Sequence, residues 1–191
     1  AAFLVEPIQG EGGIIVPPDG YLARCAEICR RHNVLLICDE VQTGLGRTGE
    51  MWGVQCFGVE PDILVTGKGL SGGIYPIAAA VLSPRVAGWL DEDGWAHVST
   101  FGGAELGCCV ALKVLEICTR SAVRENVRMV AERLGAGLRD IQSRHTDWLV
   151  EIRQQGLVMG LKFAHHQGGM LMSKALYEEG VWAMFAGHDL S

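Results

Sequence analysis

Short apolar runs that close abruptly on polar or glycine-rich stretches recur along the first eighty residues. Ala2-Phe3-Leu4-Val5 stops at Glu6-Pro7, residues 34–38 stop at Asp39-Glu40, and residues 62–66 stop at Gly67-Lys68. Runs this short, bounded by turn residues, predict buried strands rather than helices. A fourth strand, rich in alanine, is predicted from Pro76 to Leu82. Between the first two strands, Leu22, Cys25, Ala26 and Cys29 fall on one face of a helix over 20–32. Pro17-Pro18-Asp19-Gly20 supplies its turn and N-cap chemistry, and Asn33 its end. A helical turn is expected near 52–57, and Ser83-Pro84 reads as a further helix start. Strands alternating with helices predict right-handed crossovers and a largely parallel, covered sheet.

The period then changes. A helix over 105–119 carries Leu106, Val110, Val114 and Ile117 on one face, and a longer one over about 122–145 runs from Val123 to Ile141 at helical spacing. Gly135 and Gly137 interrupt that second pattern. Leu157, Met159, Leu161 and Phe163 alternate instead, as in a half-solvated antiparallel strand. A short helix at 170–179 and a strand at 181–185 follow. The shift places a domain boundary near residue 120, with a large α/β domain over 1–120 and a smaller α+β domain over 121–191.

Composition narrows the class. With 191 residues, 49% of them apolar and 20% charged, the chain can bury a real core. Its 26 glycines suit an α/β protein with many tight loops. A net charge of −6 without a basic stripe argues against nucleic acid or an anionic membrane as partner. No apolar stretch approaches the ~18 residues of a transmembrane helix. The seven cysteines form no C-x-x-C pair and sit in apolar runs as small hydrophobes, which points to a reducing, cytoplasmic compartment. Cys25 and Cys29 lie one helical turn apart but lack companion ligands, so no metal site is expected. The start at Ala1, with neither Met nor a basic n-region, is not a signal peptide. Together with the abrupt end at 187–191 it predicts a segment of a longer protein.

Candidate chemistry sits at the strand ends. A carboxylate at the carboxyl end of a buried strand, as at Asp39, either bonds loop amides or pairs with a protonated ring nitrogen and keeps that ring electron-poor. Gln42, three residues on, could bond a ring hydroxyl. Lys68 is flanked by glycines and leaves the sheet at the same edge; a buried or half-buried lysine there would lose proton affinity and condense with an aldehyde. A P-loop is excluded, because the position five residues before Gly67 is Asp62 rather than glycine. Gly44-Leu45-Gly46-Arg47-Thr48-Gly49 matches G-x-G-x-x-G, yet Asp39 to Thr43 separate it from the strand and no amphipathic helix starts at Gly49, against a dinucleotide site. Ser99 and Thr100 beside Gly102-Gly103 carry the hydroxyls and free amides that phosphate oxygens need, or form an ordinary glycine-rich loop. His165, His166 and His188 read as surface residues.

Five spaced motifs share one order with a known family: Val5 to Gly13 (VEPIQGEGG), Leu36 to Gly49, Pro61-Asp62-Ile63, Gly67 to Gly73 (GKGLSGG) and Ser99 to Gly103. The chain thereby closely resembles the class III pyridoxal-phosphate-dependent aminotransferases, over essentially its whole length. The resemblance implies a fold-type I architecture, with the C-terminal part of the large cofactor-binding domain and part of the small domain. It implies pyridoxal 5'-phosphate as cofactor, a homodimer, and transfer of an amino group from an amine or amino acid to a 2-oxo acid by a ping-pong mechanism. By matching position, Lys68 would form the Schiff base with the cofactor, Asp39 would meet the pyridine nitrogen and Gln42 the ring hydroxyl. Thr100, with Ser99 beside it, would reach the cofactor phosphate of the neighbouring subunit. Glu11 would be a substrate gate and Glu6 a support behind the cofactor.

Departures from the pattern touch the phosphate loop and the substrate entrance. Ala104-Glu105 replace a common Asn-Pro, Val98 a frequent glycine, and Leu45 a common aromatic. Two rivals share the motifs: racemisation or decarboxylation on the same scaffold, and an inactive truncated copy acting as a dimerisation partner. The resemblance also implies a phosphate-cradling loop, a ring-stacking aromatic and substrate-binding residues before this stretch and an arginine after it that pairs with Glu11, so the chain alone is expected to be inactive.

Overall fold

A computed structural model describes residues 1–185. Four strands form the main sheet in the order β1 (Ala2–Val5), β2 (Leu35–Asp39), β3 (Ile63–Thr66) and β4 (Ala79–Leu82). The first three are parallel, with Val5 opposite Cys38 and Asp39 opposite Val65. Helix α1 (Tyr21–Arg31) crosses between β1 and β2, and lays Leu22, Ala26 and Cys29 on Leu36, Cys38, Val54 and Val59. This is the apolar face the spacing predicts, and it holds the main core. Helix α1 ends where anticipated, at Asn33 with φ 53°, a left-handed conformation that Asn tolerates. Asp19, by contrast, does not cap it. The N-cap is Gly20 at φ 78°, without a side-chain bond.

Two expectations about the sheet are corrected. Strand β4 starts at Ala79 rather than Pro76 and runs antiparallel to β3. The link between them folds as a 3-10 turn over Lys68–Ser71 and contains no crossover helix, so the chain returns along the edge it left. The sheet is also only partly covered: on the outer strands Leu4 remains 62% exposed and Val81 53%.

Helix α2 (Pro84–Glu92) starts with Pro at its first position, and α3 (Glu105–Cys118) packs on the link after β3, bringing Val110 and Val114 to Gly72. Helix α4 (Ser121–Arg144) leads into a hairpin that the sequence reading only half anticipated. Strand β5 (Leu149–Gln155) precedes β6 (Val158–Phe163) and pairs with it antiparallel. Its run Glu151-Ile152-Arg153-Gln154-Gln155 has too few apolar residues to show a period of two. Gly135, which weakened the α4 prediction, is where Gln154 comes in to donate from Nε2 to the Ala131 carbonyl at 2.8 Å; a Cβ on Gly135 would collide with the Gln154 Oε1.

Helix α5 (Gly168–Glu178) closes with Gly180 at φ 81° and the Val181 amide donating back to the Leu176 carbonyl at 2.7 Å. The strand expected at 181–185 does not form. Trp182 and Met184 are exposed, and the segment folds back so that the Ser173 hydroxyl donates to the Ala183 carbonyl. His165 and His166 are exposed, as expected; His188 and the chain end at 187–191 lie outside the described residues.

Candidate active site at the carboxyl edge of the sheet

Parallel strands deliver their carboxyl ends to one edge, and there β2 and β3 release Asp39 and Lys68. Asp39 stands opposite Val65, and the Glu40 amide extends the ladder by donating to the Val65 carbonyl at 2.8 Å. Lys68 follows three residues after Val65. Its φ of 43° is left-handed, which costs a residue with a Cβ roughly 1–3 kcal/mol. The turn holds it there: the Ser71 hydroxyl donates to the Lys68 carbonyl at 2.7 Å and accepts from the Gly73 amide at 3.1 Å. The glycines around it give close approach, since a Cβ on Gly69 would lie 3.1 Å from Leu45.

The lysine side chain is exposed in this chain, where the sequence predicted burial. Among the described residues its ammonium makes no hydrogen bond and no ion pair. Asp39 is half-buried. One carboxylate oxygen accepts from the Val41 amide at 3.0 Å, the loop role, while the other has no partner among the described residues and is open to a ligand.

The remaining predicted residues divide into two groups. Gln42 turns toward the loop after β1, where its Nε2 donates to Glu11 Oε1 at 3.0 Å. Gly10 lies directly beneath it: a Cβ there would sit 2.6 Å from the Gln42 amide carbon. Glu6 accepts from the Gly10 amide at 2.9 Å, so it pins the loop on which Gln42 rests. Glu6, Gly10, Glu11 and Gln42 thus form one connected unit beside Asp39. Ser99 and Thr100 stand apart on an exposed loop where Trp95 is 84% and Phe101 82% exposed. Ser99 Oγ accepts from the Gly102 amide at 3.1 Å, and no hydrogen bond or ion pair joins this loop to Asp39 or Lys68 among the described residues.

Residues 44–49 form a turn with left-handed Leu45, Gly46 and Gly49 and open no helix, in keeping with the rejection of a dinucleotide site. Gly44 serves packing, because a Cβ would lie 2.7 Å from the Trp52 ring.

Glu40 was not anticipated and is among the most buried polar residues, at 1% exposure. Its carboxylate accepts from the Gly53 amide at 2.9 Å, the Val54 amide at 2.6 Å and the Thr43 hydroxyl. It therefore ties both ends of the 40–54 loop together directly behind Asp39 and Gln42. A signal for it existed: Leu36, Cys38 and Glu40 continue one period of two toward the core, and Asp39 points the other way. Beside it, burial first, then the Glu40 charge and Cys29, push the Cys38 thiol up to about 12. Arg153, also unforeseen, reaches this loop system from β5, with Nη1 donating to the Gly13 carbonyl at 2.8 Å.

Comparison with known proteins follows the same outline. The family profile described as Aminotransferase class-III matches residues 1–190. The chain is similar to an uncharacterized aminotransferase of Archaeoglobus fulgidus, 47% identical over 191 residues, covering 100% of this chain and 45% of that protein. It is also similar to the putrescine aminotransferase of Pectobacterium atrosepticum, 39% identical over 181 residues, covering 95% of this chain and 39% of that protein. Among solved structures, the ornithine aminotransferase from Toxoplasma gondii, described with partial occupancy of PLP at its active site, superposes with a TM-score of 0.82 at 42% identity, covering 99% of this chain and 44% of that one. The chain spans less than half the length of the curated relatives it matches.

Proposed function

Because the chain belongs to the class-III aminotransferases, with their fold-type I α/β architecture, we propose that the protein carrying it transfers an amino group from an amine or amino acid to a 2-oxo acid. The observation that supports this reading most is that one sheet edge carries both the Lys68 amine and the Asp39 carboxylate, each with a polar atom that bonds nothing among the described residues. These residues fit pyridoxal 5'-phosphate. When bound, that cofactor supplies an aldehyde that condenses with amines and a ring that accepts electrons.

Lys68 would hold the cofactor through its amine and then move a proton at the substrate carbon that bears nitrogen. Asp39 would keep the ring nitrogen protonated, through the oxygen that Val41 leaves open. Gln42 would give the second hydrogen of its amide nitrogen to the ring hydroxyl, the first remaining on Glu11. Glu11, on Gln42, would put a negative charge at the rim of the site, and Glu6 supports both from behind. Ser99 and Thr100 would serve the phosphate of a second subunit in a homodimer; the exposed apolar side chains around them support that assignment. We place the division between the large and small domains at residue 120, in the turn between α3 and α4. A cytoplasmic setting fits the seven cysteines, all free. No helix among the described residues is long and apolar enough to cross a membrane.

The test uses the full-length protein with pyridoxal phosphate, an amine donor, and 2-oxoglutarate or pyruvate as acceptor. Borohydride should fix a pyridoxyl group on Lys68, detectable by peptide mass, and Lys68→Ala should abolish both the label and turnover. Racemisation without amino transfer, or labelling elsewhere, would replace this reading.

A further inference from the structure

The turn after β1 is strained. Gly13 has φ 104° and Ile14, a β-branched residue, φ 55°. Its own bonds are few: the Gly13 and Ile14 amides both donate to the Gly10 carbonyl, at 3.1 and 3.2 Å, and Gln9 and Ile15 close an antiparallel bridge. A conformation of this kind persists only where its surroundings hold it.

On its outer side the hairpin β5–β6 clasps it. Arg153 Nη1 donates to the Gly13 carbonyl at 2.8 Å while its Nη2 pairs with Glu151 on the same strand at 3.1 Å, and the side chain is 10% exposed. Gly160 is the cross-strand partner of Arg153, and it lies so close that a Cβ would sit 2.9 Å from the Ile14 Cβ and 3.0 Å from the same carbonyl. On its inner side the turn carries Glu11, two residues before Gly13, whose carboxylate accepts from Gln42. A half-buried cation therefore grips one side of a strained turn whose other side presents an anion to the site.

We propose that Arg153 is a positioning residue: by anchoring the Gly13 carbonyl it keeps Glu11 on Gln42, and so sets the charge that a substrate meets at the rim. This rests on the transaminase reading above. A fixed carboxylate there attracts cationic amine donors and repels a second carboxylate on the substrate. Released from Arg153, the turn relaxes and Glu11, already exposed, leaves Gln42, so that its charge is no longer fixed in place and discriminates less.

The test compares full-length holoenzyme with Arg153→Met, which keeps the stem and removes the donors, and Arg153→Lys, which restores one donor. The ratio of kcat/KM for putrescine to that for glutamate should fall about tenfold in Arg153→Met, roughly one charge-assisted hydrogen bond, and recover in part in Arg153→Lys. Glu11→Gln should lower the ratio similarly, and Arg153→Met should add nothing in that background. In the cofactor-free protein, hydrogen exchange at the Gly13 and Ile14 amides should quicken about tenfold in Arg153→Met. An unchanged ratio, or the full shift repeated in the Glu11→Gln background, overturns the proposal. If Arg153→Met does not fold, Arg153→Lys decides by the same two measurements. If the wild-type protein transfers an amino group from no amine or amino acid, the functional reading has failed, and the exchange measurement alone shows whether Arg153 holds the turn.

Discussion

Replacing Glu40 by alanine strands three buried donors at once. The Gly53 amide, the Val54 amide and the Thr43 hydroxyl all end on this carboxylate, which is 1% exposed, and Thr43 is equally buried. Bonds to a charged acceptor contribute about 1.5–3 kcal/mol each, and against their sum stands the relief of no longer burying the charge. The net cost of Glu40→Ala is about 3–5 kcal/mol, the usual range for removing one partner of a buried charged network. Glu40→Gln should cost about 2 kcal/mol, since its oxygen still serves one amide while its NH2 opposes another donor. Two measurements on the full-length protein check this. Urea unfolding should show the midpoint falling, and hydrogen exchange at Gly53 and Val54 should quicken about a hundred- to a thousandfold. Thr43→Val should cost about 1 kcal/mol alone but nothing further beside Glu40→Ala, because the hydroxyl is then already stranded. A loss below about 1 kcal/mol for Glu40→Ala, or strict additivity with Thr43→Val, would refute the account of this loop.

Other expectations follow from single contacts. Folding raises the Cys38 thiol from 9.0 to about 12, so between those values the unfolded chain has lost a proton that the folded one keeps. Stability should therefore fall with rising pH by about 1.4 kcal/mol per unit in that window, and the difference between wild type and Cys38→Ala, followed by urea unfolding, should show it. Gly156 combines φ 61° with direct approach to the Thr48 backbone, so Gly156→Ala should cost more than about 2 kcal/mol; Gly180, at φ 81° in open space, should lose only about 1 kcal/mol as alanine. Arg128 and Glu50 pair at the surface, with side chains 55% and 35% exposed, and Arg128→Ala should shift the urea midpoint by less than about 1 kcal/mol equivalent. In the loaded full-length protein, Asp39→Asn should lower turnover about a hundredfold or more while Lys68 still takes the borohydride label.

The positions of Asp39 and Lys68 on one edge were legible because they depend only on local pattern. A short apolar run can end in one way, and parallel neighbours deliver their ends together. The same logic located α1, α3 and α4, whose apolar residues repeat at helical spacing. It even contained Glu40, had the alternation of Leu36 and Cys38 been carried one step further.

What the sequence by itself determined, then, was the first three strands, the helices α1, α3 and α4, and which polar groups stand at the sheet edge. Tertiary structure alone decided the direction of β4, because antiparallel return depends on the shape of the link after Lys68 rather than on the apolar run it joins. It decided that 181–185 is no strand, since a strand needs a neighbour and this segment folds back onto the middle of α5 instead, where Ser173 meets the Ala183 carbonyl. It also decided the pairing of Glu11 with Gln42 and of Arg153 with Gly13, contacts 31 and 140 residues apart along the chain. Local patterns carry information over one or two turns of chain; a hydrogen bond across 140 residues exists only once the whole fold has brought its two ends together.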